Sequence, residues 1–155
     1  MTDLEIRLRD ETETAALGAA LAPRLRRGDV VCLSGPLGVG KTTFARGVVA
    51  TLAGERAPSP TFAMAEAYAT PLGPLWHFDL YRLAAAREAI ELGIEDALSD
   101  ICLIEWPERI AAMLPEGALL VRLDADGAGR IARFAGGGDW RARLKGFRES
   151  LKEAR

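Results

Sequence analysis

The stretch VVCLSGPLGVGKTT at positions 30–43 limits what this chain can fold into more than any other. Val30 to Leu33 form an apolar run of the length expected for a buried strand. Ser34 closes it, and Gly35-x-x-x-x-Gly40-Lys41-Thr42 follows, the complete phosphate-loop pattern. Glycines let the backbone turn tightly and bring its N–H groups against phosphate oxygens, where side chains would block the approach. Lys41 would supply a positive charge to the β- and γ-phosphates, and Thr42 a hydroxyl to Mg²⁺. Residues 42–53 read as a helix, with Gly54 as its left-handed cap. The phosphates of a nucleoside triphosphate would then rest on a helix N-terminus. The cradle expected from this pattern comprises Gly35, Gly38, Val39, Gly40, Lys41 and Thr42.

At 155 residues the chain is expected to form one domain, 1–155, large enough to bury a core. No apolar run approaches the ~18 residues of a membrane span, so no membrane association is expected. The first residues are charged and mixed, unlike a targeting peptide, and a cytoplasmic location is the expectation. Cys32 and Cys102 both fall in apolar runs and read as core. His77 is the only histidine, zinc-ligand spacing is absent, and no zinc is expected. A formal charge of −2 argues against direct nucleic-acid binding by the chain alone.

Alternation of Leu4, Ile6 and Leu8 with charged residues predicts a half-exposed edge strand over 4–8. Asp10 followed by Glu13 predicts a capped helix over about 11–26, with Arg24, Arg26 and Arg27 at its C-terminal dipole. Residues 62–69 and 75–79, separated by the turn sequence PLGP, read as a hairpin. Residues 86–98 read as one or two short helices broken near Gly93. ICLIE at 101–105 is a second fully buried strand, ending in a carboxylate, and Pro107 opens a short helix. Residues 118–124 and 131–135 form a further hairpin, and Asp124-x-x-Gly127 within it is turn chemistry. A C-terminal amphipathic helix is expected over about 139–154, with Trp140, Leu144, Phe147 and Leu151 on one face. From Trp140 onward six basic residues face two acidic ones, an excess of four, and we read Arg143, Lys145 and Arg148 as a solvated face.

A phosphate loop needs a second Mg²⁺ anchor, normally a carboxylate at the end of a neighbouring buried strand. Asp79 and Glu105 both qualify, and strand position leaves the choice open. Thr61, in the SPTF segment, stands where many nucleotide hydrolases carry a loop that senses the γ-phosphate. The chain has no asparagine and no glutamine, so it lacks both the N-K-x-D base reader and the water-orienting glutamine of Ras-like GTPases. Adenine is favoured over guanine on that ground, and the lack of an arginine-rich lid favours hydrolysis over transfer to a metabolite. A small-molecule kinase and a nucleotide-binding interaction module with negligible turnover are the competing readings. Trp76 reads as core and His77 as a hydrogen-bonded structural histidine.

Four segments in register, LSGPLGVGKTTFARG, SPTF, HFDLYRL and LIEWPER, resemble the TsaE family of YjeE-like ATPases. The resemblance implies an α/β, P-loop NTPase-like three-layer fold with a mixed, partly antiparallel central sheet. It also implies slow, Mg²⁺-dependent ATP hydrolysis, with ATP and Mg²⁺ as cofactors. Its role would be accessory, in the threonylcarbamoyl modification of the adenosine beside the tRNA anticodon. Partners implied are the TsaD and TsaB proteins, with tRNA met indirectly through their complex, which hydrolysis would reset between turnovers. Carried over by motif, Lys41 and Thr42 match the loop's phosphate and Mg²⁺ positions, and Thr43 the residue after them. Thr61 matches a switch-like threonine, Asp79 the acid of an HxDxYR motif, Glu105 the Mg²⁺-side glutamate, and Trp106 a tryptophan near the nucleotide. Tyr81 and Arg82 are open to three readings: part of a surface that docks TsaD, Arg82 reaching a phosphate, or a core-facing Tyr81 with Arg82 paired to a local acid. One departure stands out: Pro36 replaces the acidic residue usual after the first loop glycine.

Overall fold

The computed structural model describes residues 2–54 and 64–153. Seven strands form a single mixed sheet: β1 (Leu4–Leu8), β2 (Val30–Ser34), β3 (Ala65–Thr70), β4 (Gly73–Asp79), β5 (Ile101–Glu105), β6 (Leu119–Asp126) and β7 (Gly129–Gly136), in the order β1-β7-β6-β2-β5-β4-β3. The four central strands, β6, β2, β5 and β4, are parallel, and antiparallel pairings at β7, β1 and β3 complete the edges. β2 and β5 are the most apolar strands because both faces are covered. Helices α1 (Glu11–Leu21), α2 (Lys41–Ala53) and α5 (Trp140–Glu153) pack on one face around Phe44, Phe134 and Phe147. The short helices α3 (Ala86–Glu91) and α4 (Ile94–Ala97), with the 3₁₀ segment Pro107–Met113, cover the other around Phe78, Ile94 and Ile104. This is the three-layer α/β fold with a mixed sheet that the resemblance implies. Cys32 and Cys102 are both buried and free, and burial pushes the Cys32 thiol up to about 12. No helix among the described residues is long and apolar enough to cross a membrane.

Local chemistry explains most boundaries. The Asp10 side chain accepts the Glu13 N–H at 2.9 Å and starts α1, while the Glu13 carboxylate takes the Arg9 N–H at 2.7 Å. The helix expected over 11–26 is shorter than that. It stops at Leu21 and tightens into a 3₁₀ turn, Ala22–Arg24, because Pro23 has no N–H to continue the ladder. No basic residue lies in its last turn. Arg26 instead pairs with Asp139 at 3.2 Å and Arg27 with Asp100 at 3.5 Å. The first hairpin begins at Ala65 among the described residues and turns over Pro71 and Leu72.

Helix α2 is held in place by direct backbone contact with α1. A Cβ on Gly18 would stand 2.1 Å from the Phe44 carbonyl oxygen, and one on Gly47 would stand 2.1 Å from that of Ala15. Only two glycines at the crossing let the helices approach so closely, and this seats the start of α2 over the end of β2.

Helix α5 docks through Trp140, Leu144 and Phe147, all at most 2% exposed. One of its cations departs from the expected solvated face. Arg143 is 10% exposed and forms a two-point pair with Asp29 at 2.6 and 3.0 Å, donates to the Arg24 carbonyl at 2.7 Å, and stacks 3.6 Å over Trp140. It fastens the helix to the turn that precedes β2, whereas Lys145 and Arg148 are exposed. Thermal or denaturant unfolding of single variants should separate these roles. Trp140→Ala should lose about 3–5 kcal/mol and Arg143→Glu about 3 kcal/mol or more. Lys145→Glu and Arg148→Glu should each stay within about 0.5 kcal/mol of the parent.

Candidate nucleotide site

The parallel strands bring their C-terminal ends to one edge, and there the chain leaves β2 into the glycine loop. Gly35 has φ +136°, and a Cβ on it would stand 2.2 Å from the Leu123 carbonyl oxygen, so no other residue fits. Gly38 (φ +79°) has open space where a side chain would project. Gly40 (φ +116°) precedes α2, whose first residue is Lys41. Val39 turns its side chain into the core and its N–H to the Pro36 carbonyl at 3.3 Å. The loop, Thr42, Thr43, Asp79, Glu105 and Trp106 border a cleft of about 280 Å³, which Glu11, Leu37 and Tyr81 also line.

Lys41 is 4% exposed, and no carboxylate lies within ion-pair distance of it among the described residues. Its ammonium donates to the carbonyls of Gly35 and Pro36 and sits 3.7 Å from the centre of the Trp106 ring. Burial lowers its pKa, a tendency opposed by the fields of Glu105, Glu108 and Asp79. Trp106 reaches this place through a left-handed backbone (φ +61°), the only positive φ outside glycine among the described residues. Such a conformation costs roughly 1–3 kcal/mol. The following Pro107 disfavours the right-handed helical alternative. The Tyr81 ring packs against Trp106 at 4.9 Å between centroids.

Glu105 ends β5 level with Leu33, beside the loop. It is 3% exposed, and the Thr42 hydroxyl donates to it, 2.8 Å from Oε1 and 3.0 Å from Oε2. His77 Nε2 stands 2.7 Å from the same Oε2. Asp79 is the Cα partner of Glu105 across β4 and β5, and its carboxylate accepts the Tyr81 N–H at 3.1 Å. Of the two acids between which strand position leaves the choice open, Glu105 is the one bonded to the loop hydroxyl. Burial, with the nearby Glu105 charge second, raises the Asp79 pKa. The structure thus gathers Lys41, Thr42, Thr43, Asp79, Glu105 and Trp106, while Thr61 lies outside the described residues. His77 is hydrogen-bonded as the sequence suggested. That its partner is Glu105 was signalled only by its place two residues before Asp79, on the same face of an alternating strand.

The family model for threonylcarbamoyl adenosine biosynthesis protein TsaE matches residues 8–132. The chain belongs to the TsaE family. A tRNA threonylcarbamoyladenosine biosynthesis protein TsaE of Rickettsia bellii is 43% identical over 119 residues, covering 75% of this chain and 83% of that one. The Bacillus subtilis protein of the same name is 36% identical over 124 residues, covering 78% and 77%. The crystal structure of Bacillus subtilis YdiB superposes with a TM-score of 0.79 at 28% identity, covering 95% of each chain. The family match spans the loop, both acids and Trp106 together.

Asp79 gives the site a measurable electrostatic cost. A carboxyl whose folded pKa lies above its unfolded value binds its proton more tightly in the native state, so stability falls as pH rises through that range. In Mg²⁺-free buffer Asp79→Asn should therefore raise Tm at neutral pH, since an amide keeps the Tyr81 bond without the charge. The advantage should vanish as the pH is lowered through the carboxylate range. A Tm difference independent of pH would contradict it.

Proposed function

We propose that this cleft binds MgATP and hydrolyses it slowly, and that the chain serves tRNA threonylcarbamoyladenosine biosynthesis alongside TsaB and TsaD. The observation that carries the ATP reading is Lys41: a buried ammonium without a carboxylate partner among the described residues, at the N-terminus of a helix and beside a glycine loop. A buried cation met only by neutral dipoles keeps its full charge, and an anion with several oxygens placed there offsets more of its burial cost than carbonyls do. The donor set also suits a small divalent cation, which takes a hydroxyl and one or two carboxylates together with substrate phosphates. Thr42 and Glu105 would hold it, with Asp79 beside them. The bound cation supplies charge neutralisation on the phosphates. Lys41 leaves its carbonyl contacts to reach the phosphates, and the loop N–H groups orient them. Trp106 and Tyr81 screen the cleft from water on one side. Glu105 holds the Thr42 hydroxyl proton, which leaves the hydroxyl's lone pairs turned outward. With Pro36 in place of an acid, the carboxylates that border the cleft and are available to orient water are Glu11, Asp79 and Glu105. Membership of the TsaE family supports the pathway, and contact with tRNA is assigned to the assembled complex.

Lys41→Ala should abolish ATP binding in calorimetric titration, because the phosphates lose the loop's only cation. Unchanged affinity would remove the basis of the reading. Glu105→Ala should depress Mg²⁺-dependent turnover far more than nucleotide binding in EDTA. Turnover measured alone and with TsaB and TsaD should rise with the partners. Negligible turnover in both would leave a nucleotide-binding module.

A further inference from the structure

We propose that His77 is the positioning residue of the metal-side acid: it anchors Oε2 of Glu105 so that Oε1 faces the Thr42 hydroxyl and the divalent cation. The inference rests on the MgATP reading above. Strand alternation puts Leu75, His77 and Asp79 on the face of β4 that looks toward α2. In the parallel register His77 is level with Leu103, and its side chain reaches forward to Glu105, the end of the neighbouring strand. The His77 side chain is 14% exposed and Glu105 3%, so water competes little for this contact.

The bonds to the two carboxylate oxygens are unequal. Oε2 receives His77 at 2.7 Å and the Thr42 hydroxyl at 3.0 Å. Oε1 receives the Thr42 hydroxyl alone, at 2.8 Å. An ionised carboxylate only accepts, so Nε2 is the protonated ring nitrogen in this contact. A glutamate's terminal torsion is broad and its two ionised oxygens are equivalent, so neighbours fix the plane of the carboxylate rather than select an oxygen. The Thr42 proton, shared between both oxygens, tolerates rotation of that plane, and the short His77 contact to one oxygen sets it. On the other side of His77, its Cα partner Glu66 on β3 accepts the Tyr68 hydroxyl at 3.1 Å. Partners that orient metal-binding side chains in this way typically change metal affinity 10–100-fold when removed.

A residue that merely fills space predicts losses that follow stability, whichever side chain replaces it. Positioning predicts a losing set and a rescuing one. Glutamine can present an N–H near the place of Nε2, whereas asparagine is one carbon too short. Wild type, His77→Ala, His77→Gln and His77→Asn are titrated calorimetrically with a non-hydrolysable ATP analogue, in EDTA and across a Mg²⁺ series, with Tm recorded for each. Affinity in EDTA should stay within about twofold of wild type, while the Mg²⁺-dependent gain in affinity falls about tenfold in the Ala and Asn variants and largely returns in Gln. A wild-type Mg²⁺ dependence in His77→Ala overturns the proposal, as do Gln and Asn variants that behave alike or losses that track Tm or the EDTA affinity. A wild-type protein without any Mg²⁺-dependent gain overturns the MgATP reading and this proposal together.

Discussion

Two opposite charges buried a short distance apart govern this structure. Lys41 and Glu105 are 4% and 3% exposed, yet they are not paired with each other. Removing each from water costs several kcal/mol even after relaxation. Ordered dipoles offset that cost: two loop carbonyls and an aromatic face for Lys41, a hydroxyl and an imidazole for Glu105. Those groups come from the loop, α2, β4 and the residue that follows β5. The edge of the sheet is therefore organised by the solvation of its charges as much as by its apolar core.

The apolar core supplies the rigidity this requires. β2 and β5 are covered on both faces, which fixes Leu33 level with Glu105 and brings the loop beside the acid. The glycine crossing of α1 and α2 sets the height of Lys41 and Thr42 over that edge. Arg143 ties α5 to Asp29, directly ahead of β2. Each device lies away from the cleft and acts on it through the strand or helix that it immobilises.

Trp106 shows the same trade on a smaller scale. Its strained backbone places one ring against both Lys41 and Tyr81, and the packing around β5 and Pro107 sustains it. An exposed Leu37 at the loop tip and a 43%-exposed Tyr81 leave the outer rim of the cleft apolar.

By itself the sequence determined the loop, the strand before it, the helix after it, both hairpins and the buried faces of α5. These depend on spacing within a few residues, where glycine conformation and apolar periodicity act directly. It also placed Asp79 and Glu105 at strand ends, because a carboxylate closing an apolar run is a local feature. Tertiary structure alone decided that Glu105 takes the Thr42 hydroxyl, that His77 serves Glu105 across 28 positions, and that Arg143 is a buried anchor to Asp29 across 114. It also turned Trp106 onto Lys41, whereas the end of α1 before Pro23 is a local effect that the sequence already carried. Hydrogen bonds and ion pairs between distant residues depend on strand order and register, which nonlocal packing settles. No pattern along the chain encodes which polar partner will be waiting at the end of a neighbouring strand.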